Sequence, residues 1–310
     1  MPAPRPKQWT TKALLAWMTG AFEDAGLDSP RLSAELLLSH VLGCERLRLY
    51  MEADRPASEI ERSALRDLVR RALDHEPVQY LVGEWSFFGL AMTTDARALV
   101  PRPSTETVVE AVLEHCKSTP GFGGASRETA GDGVFVVDVC TGSGAIACAI
   151  AKELPASRLL ATDVSEEALG LAAENVGRHG LGDRVELAPG DLLAPVLEHP
   201  VAGRRAELHA LVSNPPYVSD AEWEALPANV KDHEPAVALR GGRDGLDLVR
   251  PILEDAPELL RPSGLLAIEV AASHAARVLE LAQGDDRLRG ARIVRDFEGL
   301  DRTLVAERAG

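Results

Sequence analysis

The sequence predicts an α/β fold, a parallel sheet covered by helices on both faces, preceded by a small helical bundle. Three observations carry this. From residue 134 onward, short apolar runs that read as strands alternate with stretches that read as helices. The first of those runs ends in a glycine-containing turn, Asp138-Val139-Cys140-Thr141-Gly142-Ser143-Gly144, where sheets of this kind bind ligands. The first 75 residues instead place apolar side chains at helical spacing.

Residues 10 to about 75 read as helical. Asp28-Ser29-Pro30 offers a cap followed by proline at the first helical position, and Gly43 closes the same helix. Leu32, Leu36, Leu37, Leu38, Val41 and Leu42 form its apolar stripe. A further helix spans about Ser58 to Leu73, with Leu65, Leu68, Val69 and Leu73 on one face. These stripes read as core, and nothing in the bundle reads as catalytic. From Glu76 to Pro103 aromatics and glycines take over, and Tyr80 to Gly89 is expected to form a β-hairpin linking two domains. A helix follows over Ser104 to Cys116, opened by Thr105 and Glu106 in a Ser-x-x-Glu-like pattern.

Residues 118–133, rich in Gly, Ser and Thr, read as a surface loop. Strands are then expected at 134–139, 159–162, 185–187, 208–212 and 265–270. Helices should begin at Gly144 and span Ser165 to His179. The runs Ile293-Val294 and Thr303 to Ala306 look like an antiparallel pair, which makes seven strands. The expected domains are 1–75, 76–103 and 104–310, the first recognising substrate.

Composition narrows the function. The 310 residues are 45% apolar and 26% charged, ordinary for a soluble globular protein. A net charge of −15 without a long basic run argues against a stable nucleic-acid partner, because Lys and Arg must neutralise phosphates. Cys44, Cys116, Cys140 and Cys148 show no zinc spacing and read as reduced thiols. No signal peptide or membrane-spanning run is evident, so a cytoplasmic location is expected.

Asn214-Pro215-Pro216-Tyr217, directly after the run 208–213, carries the chemistry. A planar nitrogen is a poor nucleophile because its lone pair is delocalised. Methylating it requires acceptors for both of its N–H bonds. The Asn214 side-chain carbonyl and an adjacent backbone carbonyl make such a pair. Pro215 and Pro216 stiffen the backbone and offer no competing N–H. Tyr217 can lay its ring on the flat group. Asn214, Pro215 and Tyr217 are the candidate catalytic residues, and Pro216 joins them in holding substrate.

The donor site is read from the other strand ends. The turn lacks G-x-G-x-x-G spacing and is preceded by an acid. Asp138 suits the positive amino group of S-adenosylmethionine better than a pyrophosphate. Asp163, ending the second strand, can accept from ribose hydroxyls. After the third strand, Asp191 can accept from an adenine amino group while Leu192 packs on the ring.

These residues resemble the release-factor glutamine methyltransferases, the PrmC/HemK family, over nearly the whole chain. Glu76 to Gly83 with Trp85 and Phe88, Val100 to Glu106, the donor turn and Ser213 to Tyr217 carry the likeness. Glu234-Pro235, Ala238-Leu239, Gly241-Gly242 and Asp244-Gly245-Leu246-Asp247 make it family-specific. The resemblance implies a seven-stranded, Rossmann-like, S-adenosylmethionine-dependent methyltransferase domain. The implied partner is a peptide chain release factor, methylated on the side-chain amide nitrogen (N5) of glutamine in its Gly-Gly-Gln loop. Carried over by position, Cys140, Thr141, Gly142, Ser143, Gly144, Asp163, Leu192 and Asn214 would contact the donor. Arg102, Pro103 and Glu106 would lie near the peptide entrance.

Three departures stand out. Cys140 occupies a position where the family often has glycine, so the turn must accommodate a Cβ. Glu269-Val270-Ala271-Ala272-Ser273-His274 replaces a more glycine- and glutamine-containing segment. The 118–133 loop also looks longer than usual. Three rival readings remain: a glutamine methyltransferase for a ribosomal protein, an adenine-amino DNA methyltransferase, and a non-enzymatic interaction module. No general base is required if the product proton leaves to water, although His233 is a possible one.

Overall fold

The structure is a computed structural model that describes residues 8–119, 122, 133–204 and 206–310. Most of the glycine-rich 118–133 stretch therefore lies outside the described residues. The chain forms two compact units, Met1–Glu84 with Pro227–His233, and Trp85–Leu226 with Glu234–Gly310.

The first unit is helical, with helices Thr11–Asp24, Pro30–Leu42, Arg46–Met51 and Glu59–Leu73. Ser58 and Glu61 form a reciprocal capping box at the last of these. Gly43, with φ of 59°, ends the second as expected. Ser29 does not cap that helix. The residue before a proline is disfavoured in the αR region, and Ser29 adopts φ of 49°, where its side chain makes no cap bond. Leu37, Leu38, Met18, Phe22, Leu65 and Val69 form the core.

Residues 80–82 are not a strand. Val78–Val82 is a short helix, because Val78 and Leu81 stand one turn apart and both bury in the bundle core. The hairpin lies further on: β1 Glu84–Phe87 and β2 Leu90–Thr93, joined by Phe88-Gly89, both with positive φ. Phe87 and Met92 bury in the core of the second unit. The expected linker over 76–103 is thus divided between the two units at Glu84 and Trp85.

The second unit is built on a seven-stranded sheet. Its strands are β3 Phe135–Val139, β4 Arg158–Asp163, β5 Val185–Pro189, β6 Leu208–Ser213, β7 Leu260–Glu269, β8 Leu288–Arg295 and β9 Asp301–Arg308, in the order β5-β4-β3-β6-β7-β9-β8. Strands β3 to β7 run parallel, and β9 pairs antiparallel with both β7 and β8. Strands buried on both faces need apolar residues at nearly every position, as β3 and β6 have. Val134 and Val136 face a core shared with helices Glu106–Ser118 and Ala145–Glu153. Val137 and Val139 face the opposite core, shared with helices Val249–Leu259 and Ala275–Gln283. Among the described residues, no helix is long and apolar enough to cross a membrane.

Candidate active site

The strand order reverses at β3. The chain proceeds from β3 to β4 and β5 on one side, then returns to place β6 and β7 on the other. Such a switch point opens a crevice beyond the carboxyl ends of the strands. Val139 of β3 pairs with Ser213 of β6, and the Ser213 hydroxyl donates to the Val139 carbonyl at 2.7 Å. Cys140 and Asn214, one residue further along each chain, therefore leave the sheet side by side.

A cavity of about 430 Å³ occupies this crevice. Cys140, Thr141, Gly142 and Ser143 line it from the β3 turn, and Asp163 lines it from β4. Asp191 and Leu192 line it from the segment after β5, and Asn214 and Pro216 from that after β6. Gly144, Pro215, Tyr217 and Asp138 are not among the lining residues.

Backbone demands explain the turn. Gly142 has φ of 55°, and Gly144 has φ of 78° with Ala172 so close that a Cβ would lie 3.1 Å from its methyl. Cys140 has φ of 59°, a left-handed conformation that costs a side chain about 1–2 kcal/mol. Burial, with help from the nearby Asp163 and Asp138 charges, pushes its thiol up to about 12. Asp163 braces the turn, accepting from the Gly142 N–H at 2.8 Å through Oδ2 and from the Ser165 N–H at 2.9 Å through Oδ1. Ser165 itself caps the helix Glu166–Arg178.

Asp138 is fully buried behind the turn. Its Oδ2 accepts from the Thr141 hydroxyl at 2.6 Å and the Ala147 N–H at 3.2 Å. Its Oδ1 has no partner. Burial pushes this carboxyl up to about 7, against the pull of its two donors and with a smaller push from Asp163.

After β6, the Asn214 amide nitrogen donates to the Thr105 hydroxyl at 3.2 Å, which leaves the side-chain carbonyl as acceptor. Pro215 and Pro216 are buried. The Tyr217 hydroxyl donates to Glu269 at 3.3 Å, and burial first, then the Glu269 charge, drives its pKa upward.

The segment that follows is clamped by Gly241, Gly242 and Gly245. The Val218 N–H donates to the Leu239 carbonyl at 2.9 Å, and the Gly241 N–H donates back to the Val218 carbonyl at 2.8 Å. A Cβ on Gly241 would approach the Tyr217 Cα to 2.7 Å, and one on Gly245 would reach the Tyr217 carbonyl at 2.5 Å. In the segment 269–274, His274 lies against Gly245 and contacts Glu222 at 3.1 Å.

The proposed entrance residues have other occupations. Arg102 donates to the buried Glu234 at 2.5 Å and does not line the cavity. Glu106 accepts from the Phe88 N–H at 2.8 Å, which ties its carboxylate to the hairpin turn and away from the cavity. Pro103 is exposed and starts the 3-10 turn Pro103–Thr105. His233 belongs to the first unit, where its Nε2 contacts the Asp74 carbonyl at 2.9 Å.

Comparison with known proteins agrees with this arrangement. Residues 13–83 match the PrmC N-terminal domain, and residues 128–230 match the methyltransferase small domain. A release factor glutamine methyltransferase of Chlorobaculum tepidum is 38% identical over 301 residues, 97% of this chain and 98% of that protein. The chain belongs to the release factor glutamine methyltransferase family. The human MTRF1L release factor glutamine methyltransferase is 34% identical, covering 96% of this chain and 87% of its own length. The hMettl16 catalytic domain, solved in complex with MAT2A 3'UTR hairpin 6, shares the fold at a TM-score of 0.50 and 17% identity, over 72% of this chain and 76% of that one.

A release factor glutamine methyltransferase is an S-adenosylmethionine-dependent enzyme, and the crevice fits that donor. The glycine turn gives the backbone room for close approach, and the orphaned buried Oδ1 of Asp138 is an unused acceptor behind it. Asp163 keeps lone pairs beyond the two amides it accepts.

One buried polar residue of this family member, Asn175, is absent from the sequence reading, and two that it names, Glu234 and Glu269, carry no role there. Asn175, fully buried, accepts from the Thr93 N–H at 2.7 Å and donates to the Ser143 carbonyl at 3.0 Å, fixing the turn after β3. Its one signal is an Asn on the buried face of an amphipathic helix. Glu234 and Glu269 are buried carboxylates whose burial only the tertiary structure reveals.

Proposed function

We propose that this chain transfers a methyl group from S-adenosylmethionine to the N5 amide nitrogen of the glutamine in the Gly-Gly-Gln loop of peptide chain release factors. The observation that carries the reading is the orientation of Asn214. Its amide nitrogen is taken by Thr105, so its carbonyl oxygen is the group free to accept from an incoming –NH₂. It stands at the rim of the cavity where the donor turn and β6 emerge together.

When bound, S-adenosylmethionine supplies a methyl group on positively charged sulfur. Cys140 to Ser143, Asp163, Asp191 and Leu192 hold it, with Asp138 and Gly144 supporting the turn from behind. Asn214 Oδ1 and a backbone carbonyl of the Asn-Pro-Pro segment accept the two N–H bonds of the glutamine amide. Those bonds turn the nitrogen lone pair toward the methyl and stabilise the positive charge that develops on nitrogen. Tyr217 walls the flat amide. The N–C bond forms as the S–C bond breaks, the electron pair stays on sulfur, and the extra proton passes to water.

The first unit, with the match to the PrmC N-terminal domain, is proposed to engage the body of the release factor. A cytoplasmic location accords with that substrate. The test is transfer of labelled methyl to a purified release factor, with a Gln-to-Ala change in its Gly-Gly-Gln loop as control. Label confined to the unmodified loop is expected. Label persisting in the control refutes the assignment.

A further inference from the structure

Glu269, the last residue of β7, is fully buried, yet methyl transfer as derived above gives it no part. Its Oε1 accepts from the Tyr217 hydroxyl at 3.3 Å and from the Ser104 hydroxyl at 3.5 Å. Its Oε2 is buried without a partner. Ser104 shares the turn Pro103–Thr105 with the residue that holds Asn214. Asn214 and Tyr217, the two side chains proposed to hold the acceptor, therefore lead back to one carboxyl group. Tyr217 reaches it directly and Asn214 reaches it through the turn.

Among the described residues Glu269 makes no ion pair, although the Arg302 charge acts on it. The nearby cation, Arg302, is bound to Asp296 at 3.0 Å. Burying a carboxyl costs several kcal/mol unless it is hydrogen-bonded in return. The returns here are hydroxyls that belong to the acceptor site. A tyrosine ring has several staggered χ1 states, and a fixed acceptor beyond its hydroxyl selects one of them.

We infer that Glu269 is a positioning residue for the methyl acceptor, holding the Tyr217 ring and the Ser104-Thr105 turn in the arrangement that a glutamine amide requires. The inference rests on the proposed acceptor. It adds to the Asn-Pro-Pro-Tyr segment a group 52 residues away from Tyr217 in sequence.

The test compares Glu269→Ala, Glu269→Gln and Tyr217→Phe. Misplacing a reacting group by an ångström costs on the order of 10²-fold in rate, and Glu269→Ala is expected to lower kcat by about that factor. Its dissociation constant for S-adenosylmethionine should stay at the wild-type value. Glu269→Gln keeps an acceptor oxygen and should recover most of kcat. Tyr217→Phe should lower kcat in the wild-type background and have no further effect in Glu269→Ala. A readout independent of turnover is tyrosine ¹³Cζ NMR: of three tyrosine signals, one should move in Glu269→Gln. Wild-type kcat in Glu269→Ala, additive effects of Tyr217→Phe, or donor affinity falling in step with kcat would each overturn the inference. An inactive wild type would instead refute the acceptor, and the NMR arm would still decide whether Glu269 holds Tyr217.

Discussion

Arg102 donates to Glu234 at 2.5 Å across 132 residues of sequence, joining the segment before the Pro103 turn to the one bordering the cavity. The Glu234 side chain is wholly buried and that of Arg102 is about one-third exposed. Burial pushes the Glu234 carboxyl up, and Arg102 pulls it back only in part. A carboxyl raised in the fold favours the folded state when neutral and loses that contribution as pH rises through its folded pKa. Arg102→Ala removes the downward pull. Its loss of thermal stability should be small in acid and grow toward about 3 kcal/mol at alkaline pH. Adding Glu234→Gln should erase the pH dependence. Thermal denaturation across pH checks both expectations.

Asp138 gives a second pH-dependent signature. Its folded value of about 7 lies above the ordinary 3.8, so its contribution to stability is full at low pH and declines between those values. Asp138→Asn keeps an acceptor for Thr141 and Ala147 and removes the titration. The variant's melting temperature relative to the wild type should rise through that window and level off above it. A flat difference between the two would mean that the carboxyl does not titrate there.

Gly245 and Gly26 separate conformational strain from packing. Their φ values are 75° and 72°, but a Cβ on Gly245 would meet the Tyr217 carbonyl at 2.5 Å and His274 Nε2 at 2.6 Å, while Gly26 has open space. Gly26→Ala should cost about 1 kcal/mol from the left-handed backbone alone. Gly245→Ala should cost about 3 kcal/mol and lower kcat, because overpacking adds to the strain and displaces Tyr217. Chemical denaturation and turnover measured side by side distinguish the two.

Asn214→Ala tests the acceptor directly. Removing one well-placed hydrogen-bond partner of a developing charge costs about 10²–10³-fold, and kcat should fall by that factor. Calorimetry should show S-adenosylmethionine bound much as in the wild type. Undiminished turnover would remove Asn214 from the mechanism.

Much of this architecture was legible in the residues. Strands buried on both faces announce themselves as Val- and Leu-rich runs, so β3, β4 and β6 were found within a residue or two of their ends. The site was legible because it lies at strand ends, where Gly142, Asp163 and Asn214 cannot be explained as core. Tyr80 to Val82 misled because a short apolar run satisfies either period, and burial in the bundle decided for helix. Arg102 and Glu106 show a related limit. Sequence shows a charge but not its partner, and Glu234 and the Phe88 amide had claimed them first. In sequence Cys140 reads as a side chain in a tight turn, yet its left-handed backbone follows only from the fold.

The pairing of Val139 with Ser213 has a further consequence. The loops proposed to hold donor and acceptor leave from hydrogen-bonded neighbours, whose separation of about 4.8 Å is a property of any sheet. On that proposal the working distance of the reaction is set by the sheet. Loops can be retuned for new substrates, by nature or by an engineer, without recalibrating how far the methyl group has to travel.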